Sequence, residues 1–280
     1  MPSRSSDNQE RSLAMPHREL RTNRLLSLLS DEDYEWLRPH LSQVDLEYRK
    51  SLYEASRPIE QVYFPIDGVA SLVITTADGA SAEVGTIGSE GMVGLPVCLG
   101  AREAPSTVYV QVPGTALKMD ADALRGEMQR SPTLHRTMLR YAHAFFNQVA
   151  QSAACAHLHH VEQRCCRWLL MTRDRMPSDD FLLTHEFLGM MLGVRRTTVT
   201  DVMGDLQKEG LIRYRRGLLR CVPFPTPDCF LAHICRQITG PVHRPGADVM
   251  TATGPTMPCG DPYKGLPRAA SRSAPSNPLR

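Results

Sequence analysis

Between positions 184 and 221 the chain carries seven basic residues (Arg195, Arg196, Lys208, Arg213, Arg215, Arg216 and Arg220) against four acids (Glu186, Asp201, Asp205 and Glu209), a surplus of +3 in a protein whose formal net charge is only +2. Six polar side chains fall within seven positions: Arg195, Arg196, Thr197, Thr198, Thr200 and Asp201. An arginine fork pairs bidentately with the acceptors on a guanine edge, and threonine reaches a phosphate, a base edge or a thymine methyl. Arg213, Arg215, Arg216 and Arg220 follow closely and suit phosphate contacts. This is the chemistry of double-stranded nucleic acid recognition, concentrated locally where whole-chain charge and a pI near 8.1 are uninformative.

Those side chains need a rigid support, and the surrounding residues supply one. In LTHEFLGMMLGVRRTTVTDVMGDLQKEGLIRYRRGLLRCV, residues 183–222, Thr184 is a favourable helix N-cap. Phe187, Leu188, Met191 and Leu192 form the apolar face of a first short helix, and Gly193 stands where a positive φ would end it. A second helix from about Arg196 to Glu209 carries Val199, Val202, Met203 and Leu206 as its buried stripe. Helix, Gly-containing turn, helix is the arrangement that places a recognition helix in the major groove. Two short β-like runs flank Arg216-Gly217 and read as a wing. The expected DNA-binding set is therefore Thr184, Arg195, Arg196, Thr197, Thr198, Thr200, Asp201, Arg213, Arg215 and Arg216.

Upstream, the pattern has three parts. Residues 23–41 read as two short helices, with Leu25, Leu28 and Leu29 on one face, Trp36, Leu37 and Leu41 on another, and Ser30 capping the second. From Val44 to about Met119, β-prone runs are separated by Asp67-Gly68, Asp78-Gly79 and Pro113-Gly114, hairpin signals that point to an antiparallel barrel or jelly roll. Asp120 to Met176 turns helical, and two apolar stripes run along one long helix. The first is assigned to a dimer interface, through Leu134, Met138, Tyr141, Phe145, Gln148 and Ser152. The second comprises Leu139, Ala142, Phe146, Val149, Ala153 and Ala156. A helix with two such stripes faces its own domain on one side and a partner helix on the other.

The expected organisation is α+β: a flexible leader over 1–22, a β-barrel domain over 23–132, a dimerisation helix over 133–158, a winged helix-turn-helix over 159–222 and a disordered tail over 223–280, with a short helix at 229–238. The chain has 280 residues, 42% hydrophobic and 22% charged, enough for a packed core. Its longest apolar stretches, such as Phe187–Val194, are far too short for a membrane span. The N-terminal residues show no secretory signal, which points to the cytoplasm. Eight cysteines without a CxxC pair read as free thiols. His157, His159 and His160 read as a solvated helix end, so no metal is expected. A cupin-like metalloenzyme needs several histidines lining the barrel, and none occurs between Leu41 and Leu134. A signalling adaptor that does not bind DNA has no use for the Arg-rich winged helix.

The order of N-terminal helices, small β-barrel, long helix and winged helix resembles the Crp/Fnr family of bacterial transcription regulators over about residues 23–220. The segment starting LTHEFLGMM is similar to the family's helix-turn-helix with its wing. IEQVYFPIDGVASLVITTADGASAEVGTIGSEGMVG is similar to its cyclic-nucleotide-binding-like effector domain, a double-stranded β-helix. The resemblance implies a homodimeric, non-enzymatic regulator without a cofactor, bound to a palindromic promoter site, with RNA polymerase a further candidate partner. By position, Arg196, Thr197 and Asp201 fall where such regulators read bases. Thr197 and Asp201 differ from the Glu and Arg of the cyclic-AMP receptor, so its target sequence does not carry over. Cyclic-AMP-binding members carry F-G-E-L followed by R-S-A. Here the corresponding effector-pocket residues are Gly94 and Leu95, then Pro105, Ser106 and Thr107, so Leu95 replaces the Glu and Pro105 the Arg. A lost charge-assisted bond to an anionic ligand costs ~1.5–3 kcal/mol. Ordinary cyclic-AMP binding is therefore not expected; a cyclic-nucleotide-responsive regulator with a divergent cassette is the alternative. No cysteine precedes Cys98, which excludes the N-terminal iron–sulfur cluster of Fnr-type members.

Overall fold

The computed structural model describes residues 22–176 and 178–222. The leader up to residue 21, and the expected tail with its short helix and Cys229, Cys235 and Cys259, lie outside the described residues. Two short helices open the fold, α1 (Arg24–Ser27) and α2 (Asp31–Leu37). Ser30 caps α2 as its sequence position suggests, accepting from Asp33 N. The apolar face of α1 differs from the expected one: Leu25, Leu26 and Leu29 are buried, whereas Leu28 is 47% exposed. Asn23 fixes this choice. Its Oδ1 caps α1 at Leu26 N, while its Nδ2 donates to Pro65 O and Gly91 O at 2.8 and 2.9 Å.

Seven strands follow: β1 (Ser42–Leu46), β2 (Ser51–Tyr53), β3 (Gln61–Pro65), β4 (Val69–Thr75), β5 (Ser81–Ile87), β6 (Thr107–Val112) and β7 (Gly114–Asp120). They pair antiparallel in the orders β1-β7-β3 and β2-β6-β4-β5. Val62 and Phe64 of one sheet share a buried cluster with Leu117 and Met119 beside them and with Ala70, Ile87 and Val108 of the other. That is a jelly roll, its inner faces filled by the alternate residues of each strand. Of the three expected hairpin turns, only Asp78-Gly79 joins neighbouring strands, β4 and β5. Asp67-Gly68 and Pro113-Gly114 instead pass the chain from one sheet to the other. The two crossovers are tied together by Asp67 Oδ1, which accepts from Thr115 N and Thr115 Oγ1, both at 2.6 Å.

Helices α3 (Leu95–Cys98) and α4 (Ala121–Arg130) close the barrel domain and lead into α5 (Pro132–Leu158), 27 residues long. Ser131 caps α5 and Pro132 occupies its first turn, a pre-organised start. Ser131 also donates to the buried Asp33, as does Thr133. Burial opposes ionisation of Asp33, but the hydroxyls of Ser131, Thr133 and Ser30 outweigh it and hold the carboxyl below its usual value.

The seating of α5 corrects the expected dimer interface. Leu134, Met138 and Tyr141 are buried in the chain's own barrel core, and Phe145 packs against that core. Tyr141 Oη donates to Met92 O, and Gln148 Nε2 to Thr86 O at 2.8 Å. Ser152 Oγ accepts from Arg167 at 3.3 Å. All six residues of the first stripe therefore serve contacts within the chain. Gly91 is the reason α5 can lie so close: an added Cβ would sit 2.2 Å from Tyr141 Oη. The outward face carries only part of the second stripe, since Ala142 and Val149 are half-buried. Leu139 is 45% exposed and Phe146 67% exposed, and Leu139, His143, Phe146, Ala150, Ala153 and His157 are all exposed at alternating three- and four-residue spacing.

The C-terminal elements are α6 (Val161–Arg173), β8 (Asp180–Leu182), α7 (His185–Leu192), α8 (Arg196–Lys208), β9 (Ile212–Arg215) and β10 (Leu218–Cys221). The strands form an antiparallel sheet in the order β8-β10-β9. Cys165 and Cys166 both point into buried surroundings, and burial pushes the Cys165 thiol up to about 12. This part packs on the barrel: Val69, Val73 and Val112 share a buried cluster with Trp168, Phe187 and Leu188. Polar contacts support it, with Gln111 Nε2 donating to Thr172 Oγ1 at 2.6 Å and Arg175 Nε to Glu90 Oε1 at 2.7 Å.

Candidate nucleic-acid interface

Local rules build the support for the basic cluster. Thr184 Oγ1 accepts from Phe187 N at 3.2 Å, starting α7. Phe187, Leu188, Met191 and Leu192 are all buried, as their periodicity requires. Gly193 ends the helix at φ +63, a conformation costly for a residue with a Cβ. Val194 N then returns to Gly189 O at 2.9 Å. The second helix, α8, anchors through buried Val199, Met203 and Leu206, with Val202 half-buried. This anchoring leaves Arg195, Arg196, Thr197, Thr200 and Asp201 exposed and Thr198 half-buried.

The wing is a two-residue hairpin. Leu218 pairs with Arg215, and the intervening Arg216 and Gly217 have φ of +52 and +83. Both central residues at positive φ is the turn whose twist suits antiparallel strands. Arg213, Arg215 and Arg216 are exposed. Arg220 is different. Its guanidinium engages both carboxylate oxygens of Asp180 across β10 and β8, so it is a structural tie rather than a spare phosphate contact.

Three residues outside the sequence reading position this surface. His185 stacks on Tyr214 with ring centroids 4.7 Å apart, and its Nδ1 lies 2.9 Å from Thr200 Oγ1. Thr200 Oγ1 itself donates to Arg196 O, so the ring nitrogen donates to the hydroxyl. The Thr200 hydroxyl is thus committed to holding α8 against α7. Tyr214 Oη donates to Leu183 O at 3.0 Å, tying the wing to the start of α7. From the barrel, Arg49 lies over the rings of Tyr48 and Phe187 at 5.3 and 5.6 Å and donates to Thr184 Oγ1. Thr184 is therefore engaged as a cap and by Arg49 together.

Burial first, and the charge of Arg196 second, lower the pKa of His185 below 6.5. Because the folded state binds this proton less readily than the unfolded chain, the packing is fully present above about pH 6.5. It weakens as pH falls through that value toward the depressed one. Urea unfolding followed between pH 7.5 and 5.0 should show this loss, and His185→Gln should flatten that part of the profile.

The effector-pocket candidates lie apart from this surface. Gly94, at φ +105, and Leu95 open α3, while Pro105 is exposed and Ser106 is buried with a hydrogen bond to Tyr53. Thr107 Oγ1 accepts from Ala55 N at 3.2 Å. None of the five carries a charge. Among the described residues, no group of three His, Cys, Asp or Glu stands together as a metal site would require, and no helix is long and apolar enough to cross a membrane.

Comparison with known proteins meets this geometry at both ends. Residues 44–131 match the cyclic nucleotide-binding domain, and residues 163–222 match the Crp-like helix-turn-helix domain, together more than half of the chain. The Crp-like match spans the capped helix α7, the Gly193 turn, α8 and the wing. The chain belongs to the Crp/Fnr family. It is a DNA-binding transcription regulator of that family, an α+β protein with a jelly-roll domain, a long helix and a winged helix-turn-helix. A curated relative, the CRP-like cAMP-activated global transcriptional regulator of Mycobacterium tuberculosis, is 24% identical over 186 residues, covering 63% of this chain and 82% of the relative. Among solved structures, a putative transcriptional regulator of the Crp/Fnr family from Eubacterium rectale aligns with TM-score 0.60 at 15% identity, over 76% of this chain and 97% of that one. FixK2 from Bradyrhizobium japonicum aligns with TM-score 0.57 at 13% identity, over 65% of this chain and 93% of that one. At such identities the structural matches speak for the fold alone.

Proposed function

We propose that this Crp/Fnr regulator acts in the cytoplasm as a homodimer on palindromic promoter DNA, and that its barrel does not bind cyclic AMP in the usual way. The single observation carrying the reading is the exposed cluster Arg195, Arg196, Thr197, Thr200 and Asp201 at the start of α8, with the wing arginines Arg213, Arg215 and Arg216 also exposed. α8 enters the major groove, where Arg196, Thr197 and Asp201 read base edges, and the wing arginines grip phosphates. Thr184 contributes as the cap that presents the N-terminus of α7. The exposed stripe Leu139, His143, Phe146, Ala150, Ala153 and His157 supports dimerisation through α5: the two alanines let a second helix approach closely. Two-fold pairing sets the recognition helices on half-sites one turn apart, ~34 Å.

Leu95 and Pro105 support the effector reading, since neither can neutralise a cyclic phosphate or hold a ribose hydroxyl. The domain limits 23–132, 133–158 and 159–222 are proposed as the functional divisions. RNA polymerase is the partner a promoter-bound activator of this kind would touch.

The test is operator binding by the full-length protein as a function of salt. Arg215→Ala should weaken binding almost equally on all sequences and lower the slope of log K against log salt by about one. Cyclic AMP should leave both affinity and thermal stability unchanged. An affinity without salt dependence would overturn the DNA reading, and a saturable rise in affinity with cyclic AMP would overturn the effector reading.

A further inference from the structure

Between α3, α4 and the start of α5 lies a cavity of about 540 Å³ that opens to solvent. That volume falls in the ~300–1,000 Å³ range of small-molecule sites. Its apolar wall comes from Val97 and Leu99 at α3, Met128 of α4 and Leu139 of α5. Leu99 is 60% exposed and Leu139 45% exposed, so two large aliphatic side chains meet solvent at one place. Apolar surface gathered in a concavity points to an occupant, whereas singly scattered exposure does not.

The charged groups of this wall are of one sign. Arg102 and Arg125 line it together with His135 and Gln129, and no carboxylate does. Arg125 is fixed in place: one guanidinium nitrogen donates to Asp122 and the other to Ala101 O at 3.2 Å. Arg102 is exposed, and its backbone carbonyl accepts from Ile59 N at 2.9 Å. Among the described residues, no hydrogen bond or ion pair engages its guanidinium. Cys98 adds no negative charge, because burial pushes its thiol up to about 12 despite the nearby Arg125. A cationic rim beside an aliphatic wall matches an anion with an aliphatic tail. No Phe, Tyr or Trp lines the cavity, so it lacks the broad stacking face that a nucleobase would use.

We propose that this cavity binds a free medium-chain carboxylate, its head on Arg102 and Arg125 and its tail along Val97, Leu99, Met128 and Leu139. None of the five effector-pocket candidates lines it, so it is a second site rather than an extension of the first. The occupant contacts α3, α4 and α5 at once, which links binding to how the long helix seats on the barrel. That regulatory consequence rests on the proposed function; the binding itself does not.

Calorimetric titration of the full chain with octanoate, below its micelle concentration, should give saturable binding. Acetate, which lacks the tail, and octan-1-ol, which lacks the charge, should bind at least about tenfold more weakly. Octylamine, of opposite charge, should give no saturable heat. Each methylene added from butyrate to octanoate should raise affinity about two- to fourfold. Arg102→Gln should weaken octanoate binding by about tenfold or more and leave octan-1-ol unaffected. Leu99→Asn should instead flatten the dependence on chain length. Both side chains are exposed, so the two variants should unfold at the parent's temperature, which separates a lost site from a lost fold. Cyclic AMP should not displace octanoate. Absence of saturable octanoate binding, equal binding of octan-1-ol or octylamine, unchanged affinity in Arg102→Gln, or displacement by cyclic AMP would overturn the proposal. Saturable octanoate binding by a protein with no DNA affinity would keep the site and sink the regulator reading, and intact DNA binding without an octanoate signal would do the reverse.

Discussion

Arg196→Ala weakens operator binding by ~1–3 kcal/mol per half-site, about 5- to 150-fold, and flattens the base preference at one position in each half-site. Arg196 opens α8 and is exposed, and its backbone carbonyl accepts from Thr200 Oγ1. Alanine is the best helix former, so the substitution leaves α8 intact and removes only the guanidinium. Competition binding against a library of single-base operator variants measures both effects. A loss equal across all variants would assign Arg196 to phosphate contact. The wing variant Arg215→Ala supplies that uniform pattern for comparison, since Arg215 lies on β9 in the wing.

In the proposed dimer, Phe146→Asp should convert the protein to a monomer. Phe146 is 67% exposed in the single chain, so a charge there costs the fold almost nothing. In a dimer paired through the outward face of α5, the same change loses a buried aromatic from each chain and sets two carboxylates close together. At about 2 kcal/mol or more per copy, the dimer dissociation constant rises roughly a thousandfold. Sedimentation equilibrium measures it, and operator affinity should collapse in parallel because a monomer holds one half-site. Phe145→Asp behaves differently. Phe145 packs on the barrel core, so close to Gly85 that an added Cβ there would meet its ring at 2.6 Å. Its charge lowers thermal stability before it touches association. An unchanged dimer with Phe146→Asp would show that α5 pairs on another face.

The contrast between Phe145 and Phe146 marks where sequence stops being decisive. Both apolar stripes of α5 have helical periodicity, and nothing within the helix says which one its own barrel takes. That is settled by distant residues: Asp33 holds Ser131 and Thr133 at the start of α5, and the Met92 carbonyl receives Tyr141. The same holds for Asp67-Gly68, whose composition specifies a tight reversal but not whether the strands it joins share a sheet. By contrast, Thr184, Gly193 and Arg216-Gly217 were readable because capping, helix termination and tight turns are local effects of a few residues. Contacts across long separations were not. Arg49 reaches Thr184 from 135 residues away, Arg220 pairs with Asp180, and the stacking of His185 on Tyr214 needs the wing already folded back on α7. These residues decide how firmly the DNA-binding surface is held, and no spacing rule exposes them.

In the proposed two-fold dimer, α8 of each half presents Arg195, Arg196, Thr197, Thr200 and Asp201 to the major groove. Footprinting of the full-length protein on operators selected from random DNA tests this most directly. Two protected half-sites related by a dyad are expected, with centres ~10–10.5 base pairs apart, and their loss in the Phe146→Asp variant. Protection of a single isolated half-site, or protection that ignores sequence altogether, would contradict it.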